Sequence, residues 1–200
     1  MSEIIAQTHS VKKAARPGRP RSAEATATVL DAAYRLIVAK GLRGATIQAI
    51  ADETGVSKMT IYKWWDNRLH LLIDAFLRKT NETLALAQTG SSVEIIYDHA
   101  ARYVLELQGE LGRVQLAVLA ECLAETGNSS LFVARYLRIR RDLGIKVIKR
   151  GQENGEIAAA RPAQALYDQI YGTIFYRSQF GLEGLDRDFV RSLVDETFAR

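Results

Sequence analysis

The stretch Thr46-Ile-Gln-Ala-Ile-Ala-Asp-Glu-Thr-Gly-Val-Ser-Lys-Met-Thr-Ile-Tyr-Lys-Trp-Trp65 reads as two short helices joined by a sharp turn. Thr46 and Ser57 are residue types that cap helix N-termini, because a hydroxyl accepts from a backbone N–H left unpaired in the first turn. Between them, Thr54-Gly55-Val56-Ser57 reverses the chain, and Gly55 supplies the left-handed conformation such a reversal needs. Ile50, Ala51, Val56 and Ile61 can then fill one small core, and Ala51 is small enough to let the helices approach closely. This is the layout of a helix-turn-helix, the motif whose second helix lies in the major groove of DNA.

With Ile61 and Trp65 inward, the second helix presents Lys58, Thr60, Tyr62, Lys63 and Trp64 to solvent. Lysine supplies phosphate or guanine contacts, Thr and Tyr hydroxyls donate to phosphate oxygens, and Met59 suits a thymine methyl. Two adjacent tryptophans cannot share one buried face. Either both pack beneath the following helix, or Trp64 faces outward or sideways.

Charge supports a polyanion as partner of this end. Residues 1–70 carry 11 Lys/Arg against 6 Asp/Glu (+5), which leaves 16 against 17 (−1) for residues 71–200. A basic end on a near-neutral body is an electrostatic footprint for nucleic acid. Ahead of the helices, residues 1–21 read as a disordered basic arm. Arg16, Arg19 and Arg21 alternate there with Pro17, Gly18 and Pro20. Arginines on such an arm suit a narrow, electronegative minor groove, or give only diffuse attraction.

Outward from this block the chain reads as all-α, with about nine helices. No proline falls between 21 and 161, and apolar residues recur at spacings of three and four. The helices are expected at about 22–40, 47–54, 58–64, 68–87, 92–108, 111–125, 130–152, from Pro162 onward, and at 186–199. The seventh carries the stripe Phe132, Tyr136, Ile139, Leu143 and Val147, with the run Arg135, Arg138, Arg140, Arg141, Lys146, Lys149 and Arg150 as its solvated side. The organisation expected is the arm, a helix-turn-helix domain over 22–82, and a C-terminal helical bundle domain over 83–200. No apolar run approaches the about 18 residues of a membrane span. A single cysteine, Cys122, fits a reducing cytoplasm. Three scattered histidines make no metal constellation, no cofactor motif occurs, and no catalytic constellation argues for an enzyme.

From about Arg21 to Leu72 the chain resembles the DNA-binding domain of the tetracycline repressor (TetR) family. The matching pieces are Val29-Leu-Asp-Ala-Ala33, Lys40-Gly41, Thr46, Ile50-Ala51, Thr54-Gly-Val-Ser57, Thr60-Ile-Tyr62, Trp65, and Asn67-Arg68 with Leu71-Leu72. Met59 stands where the family usually has a small residue or proline, and Trp65 where it usually has phenylalanine. The resemblance implies that Thr46 bonds a phosphate and Gln48 reaches toward a base. It implies that Lys58, Met59, Thr60 and Lys63 face base edges or adjacent phosphates, and that Tyr62 and Trp64 clamp the backbone. Arg68, at the start of helix four, would contact a phosphate.

The last two helices carry wide apolar faces that fit burial on two sides, against their own domain and a second copy. In the resembled family they form a homodimer's four-helix bundle. Leu166, Ile170, Ile174, Val190, Leu193 and Val194 are therefore the expected dimer interface. The middle helices are expected to surround an effector pocket, with Phe76, Tyr97, Tyr103, Cys122, Phe132 and Tyr136 as lining candidates. The reading that follows is a homodimeric transcriptional regulator, a repressor released from a palindromic double-stranded DNA operator by an unidentified small-molecule effector. A helical small-molecule-binding protein with only non-specific polyanion affinity is the alternative.

Overall fold

Three side chains set where the N-terminal helices begin. Thr46 Oγ1 accepts from Ala49 N (3.1 Å), Ser57 Oγ from Thr60 N (3.2 Å), and Asn67 Oδ1 from His70 N (2.9 Å). A computed structural model describes residues 23–199, and among them it has nine helices and no strand. They are α1 (Ala23–Gly44), α2 (Ile47–Thr54), α3 (Lys58–Trp64), α4 (Arg68–Thr83), α5 (Ser92–Gln108) and α6 (Glu110–Thr126). Next comes α7, built from Ser130–Phe132, a π-helical turn Val133–Leu137 and Arg138–Glu153, then α8 (Ala163–Gln179) and α9 (Arg187–Phe198). Gly55 closes α2 at φ 70°, and its N–H donates to Ala51 O. The expected arm, with Arg16, Arg19 and Arg21, lies outside the described residues.

Two apolar cores hold the chain together. In the first, Val29, Ile50, Ile61, Trp65 and Leu72 from α1–α4 pack with Val118 and Cys122 of α6 and Phe132 and Tyr136 of α7. The second joins α5, α7, α8 and α9 through Ile96, Val104, Ile148, Ile170, Ile174 and Val194. Each fully buried Leu or Ile contributes about 1.5–3 kcal/mol. α4 runs from the helix-turn-helix into a core shared with α6 and α7, so the two regions are packed against one another along it.

Three expectations are corrected. Helix α4 ends at Thr83 rather than near 87. Thr80 and Thr83 donate their hydroxyls back to the carbonyls of Phe76 and Lys79, a contact that competes with continued helix, and Leu84 leaves it with ψ 42°.

The stripe on α7 is also rotated. Ile139 and Leu143 are exposed, while Arg140, Gly144 and Ile148 are buried. The π-helical turn inserts an extra residue into the helical repeat, so the inward face moves on by one position after Tyr136. Arg140 thus joins the interior instead of the solvated side. Arg135 is half-buried and paired with Asp74.

Finally, the residues expected between two copies are mostly interior to one chain. Leu166, Ile170, Ile174, Val190 and Val194 are buried against α5 and α7, and Leu193 is half-buried on the same core. A face that is wide in sequence does not say which half turns inward. The outward side of α8 instead carries Gly172, Tyr176 and, just beyond its end, Phe180, all exposed.

Candidate functional site

The apolar side of α3 is pinned, and that decides what the other side shows. Ile61 is fully buried, and Trp65, the C-cap, is buried with its Nε1 donating to Asp74 Oδ2 at 2.8 Å. Opposite them, Lys58, Met59, Tyr62 and Lys63 are exposed, Met59 at 75% and Tyr62 at 55% of their surface. Two large side chains thus stand in water beside lysines on a capped helix, where folding itself gains nothing from holding them.

Other expected contact residues are more constrained. Thr60 is half-buried, with its hydroxyl 2.9 Å from Ser57 Oγ. Trp64 is half-buried and edge-on to Trp65, with centroids 5.8 Å apart at 75°. Thr46 and Gln48 are exposed at the start of α2. Gln48 Nε2 donates to Asp52 Oδ1 at 2.5 Å, and the Thr46 oxygen is the acceptor in the cap, which leaves its hydroxyl hydrogen available to donate.

Arg68 departs from the expected phosphate contact. Its guanidinium donates to Leu42 O (2.7 Å), to Glu121 and to Glu125 (3.4 Å) on α6. It ties the start of α4 to α6, and two carboxylates already hold its charge.

A line of polar contacts leads inward from α3. Trp65 donates to Asp74 on α4, and Arg135 NH1 on the π-helical turn of α7 donates to the other Asp74 oxygen at 2.7 Å. Residues Phe132, Val133, Tyr136 and Leu137, in and beside that same turn, line a cavity of about 560 Å³. This lies within the range of small-molecule sites. The cavity is walled by α5, α6, α7 and α8, with Leu84 beyond the end of α4.

Its polar corner is built on Arg140. NH1 donates to Asn81 Oδ1 (3.0 Å), and NH2 to Leu84 O (2.6 Å) and His99 Nε2 (2.8 Å). Arginine can only donate, so Nε2 is the unprotonated nitrogen and Nδ1–H donates to Tyr171 Oη at 2.7 Å. Burial, reinforced by the Arg140 and Arg102 charges, pushes the His99 pKa down to about 3, so the ring is neutral. Burial likewise raises Tyr103 to about 12 and holds Tyr136, Tyr167 and Tyr171 well above the usual tyrosine value, so all four stay protonated.

Of the expected lining residues, Tyr103, Phe132 and Tyr136 face this cavity. Phe76 lies behind the wall, fully buried, stacked on Phe132 and tilted against Tyr136. Cys122 is buried in the first core without lining the cavity, and its thiol pKa is raised by that burial. Tyr97 is elsewhere, with the Arg191 guanidinium 3.4 Å over its ring. His99, Gln115, Arg140, Tyr167 and Tyr171 were not anticipated. The one usable signal was the pair Tyr167 and Tyr171, four apart on a helix and so on one face.

A capped helix-turn-helix joined by one long helix to a hollow helical body defines a class of ligand-responsive DNA-binding proteins. Residues 29–75 match the family described as bacterial regulatory proteins, tetR family, and residues 86–197 match the tetracyclin repressor-like C-terminal domain. The chain is 34% identical to the uncharacterized HTH-type transcriptional regulator YdeS of Bacillus subtilis (strain 168), over 90% of this chain and 91% of that protein. It is 23% identical to the HTH-type transcriptional regulator AqdR of Rhodococcus erythropolis, over 77% and 74%. Among solved structures, the TetR family transcription regulator SCO0332 superposes with a TM-score of 0.77 at 26% identity, covering 88% of this chain and 97% of that one. FadR from Bacillus subtilis, solved with stearoyl-CoA, shares the fold (TM-score 0.59, 18% identity, 86% and 97% covered). The chain belongs to the TetR family of helix-turn-helix transcriptional regulators. Among the described residues, no helix is long and apolar enough to cross a membrane.

Proposed function

We propose that the protein is a homodimeric repressor that binds a palindromic operator through α3 and leaves it when a small organic molecule fills the cavity. The observation carrying the DNA half is the exposed set Lys58, Met59, Tyr62 and Lys63 on a helix whose other side is locked by Ile61 and Trp65. Lys63 reads a base edge or a phosphate, and Tyr62 holds the backbone. Two copies pair through the outward side of α8, where Tyr176 and Phe180 stand exposed. A Cβ built on Gly172 there would meet nothing, so a second helix can approach closely. Pairing sets two recognition helices about 34–36 Å apart, one turn of DNA.

Release uses the line of contacts from the cavity to α3. The π-helical turn contributes cavity wall on one side and Arg135 on the other. A ligand that shifts this turn shifts Asp74, and with it the Trp65 end of the recognition helix. A preference of a few kcal/mol for the spacing that does not fit DNA empties the operator.

Tyr62→Ala tests the DNA surface. Its affinity is expected to fall about five- to thirty-fold, on operator and unrelated DNA alike, because a backbone contact carries no sequence information. Fluorescence anisotropy with both DNAs measures it. Wild-type affinity in the variant removes Tyr62 from the interface.

A further inference from the structure

The cavity holds a buried cation for which the described residues supply no paired counter-charge. Arg140 is only 7% exposed. Its bonded partners are an amide oxygen, a backbone carbonyl and a neutral imidazole. Among the described residues no carboxylate lies within ion-pair distance of it. Among the described residues the one carboxylate lining the cavity, Asp168, is held by Arg141, which donates from Nε at 2.8 Å and from NH2 at 2.6 Å. A buried charge without a counter-charge is costly to a fold, and such charges cluster at sites where a ligand supplies the other sign.

The other polar atoms of the cavity agree. Gln115 Nε2 donates to Tyr103 Oη at 3.1 Å, while Gln115 Oε1 is buried with no partner. Tyr103 and Tyr171 each accept a bond at their oxygen, which leaves both phenolic hydrogens to donate. The corner therefore offers donors and a positive charge, with one orphaned acceptor on the facing helix. The rest of the wall is Leu119, Leu123, Phe132, Val133 and Phe175.

We infer that the effector is an apolar organic acid, whose carboxylate pairs with Arg140 beside Tyr171 and whose aromatic or aliphatic body fills the Leu119–Phe132–Phe175 side, with a hydroxyl or N–H on that body matching Gln115. This rests on the reading of the cavity as the effector site and specifies what it takes. A cation would meet Arg140 unshielded. A neutral molecule would leave its charge as it stands. An anion forms charge-assisted hydrogen bonds, about twice as strong as neutral ones.

Matched trios of probes test the inference on the intact wild-type protein by calorimetry. Each trio shares one body (phenyl, naphthyl or octyl) and differs in its end group: carboxylate, primary amide or ammonium. The carboxylate is expected to bind about ten- to a hundred-fold tighter than its amide, with no ammonium binding. Arg140→Gln should lower the carboxylate affinity to that of the amide. If that variant does not fold, the trios on the wild-type protein decide alone. Amide or ammonium members binding as tightly as the carboxylates overturn the organic-acid assignment and leave the cavity as a ligand site. No binding by any member at millimolar concentration overturns the assignment together with the cavity's role.

Discussion

Phe76→Ala is expected to remove about 3–5 kcal/mol of folding stability, the range for truncating a buried phenylalanine. Phe76 is completely buried on α4, stacked on Phe132 with centroids 6.4 Å apart and set 4.6 Å from the Tyr136 ring. Its ring joins the helix-turn-helix core to the back of the cavity wall. Truncation therefore opens a void at the junction of the two regions, between α4 and the Phe132 and Tyr136 rings of α7. A loss of that size is a large share of a typical total of about 5–15 kcal/mol. Urea unfolding followed by circular dichroism measures it. A loss below about 1 kcal/mol would mean that the junction is loosely packed and that α4 does not join the two regions rigidly.

Asp74→Ala is expected to weaken operator binding about five- to a hundred-fold although Asp74 lies on α4 and not on the recognition helix. One of its oxygens accepts from Trp65 Nε1 at 2.8 Å and the other from Arg135 at 2.7 Å. Removing both acceptors takes the partner from a buried indole N–H, which costs about 1–3 kcal/mol, and removes the carboxylate that Arg135 of α7 holds on α4. The end of α3 then loses its fixed position against α4. Asp74→Asn, which keeps an acceptor for Trp65, is expected to retain most of the affinity. Anisotropy titrations at a temperature where circular dichroism shows every variant folded make the comparison. Equal affinity for Asp74→Ala and wild type would remove this contact from the account of release.

The N-terminal helices were legible because their signals are local. Thr46, Ser57 and Asn67 cap from within one turn, and Gly55 has the positive φ its position asks for. The inward pair Ile61 and Trp65 follows from a spacing of four. What was not legible depends on contacts between distant segments. Nothing near Arg140 in sequence tells that Asn81, Leu84 and His99 meet it, and a run of basic residues reads as a wet face. The π-helical turn rotates everything after Tyr136 by one position, which a fixed helical period cannot register. The same limit misplaced Ile170 and Val194. Apolar width marked α8 and α9 as doubly covered, but only their packing on α5 and α7 shows which residues face inward. For Arg68 the resemblance implied a phosphate contact, while two of its partners within the chain, Glu121 and Glu125, lie on α6, more than fifty residues further along.

The central claim is that two copies of α3, held at a fixed separation, read a defined DNA sequence. Selection of bound fragments from a random duplex library by the purified full-length protein tests it most directly. Enrichment of one inverted repeat is expected, with half-site centres about one helical turn apart. Fragments recovered without any shared sequence, held only by a steeply salt-dependent attraction, would show that the basic end binds polyanions indiscriminately and would contradict the assignment of α3 as a reader of DNA sequence.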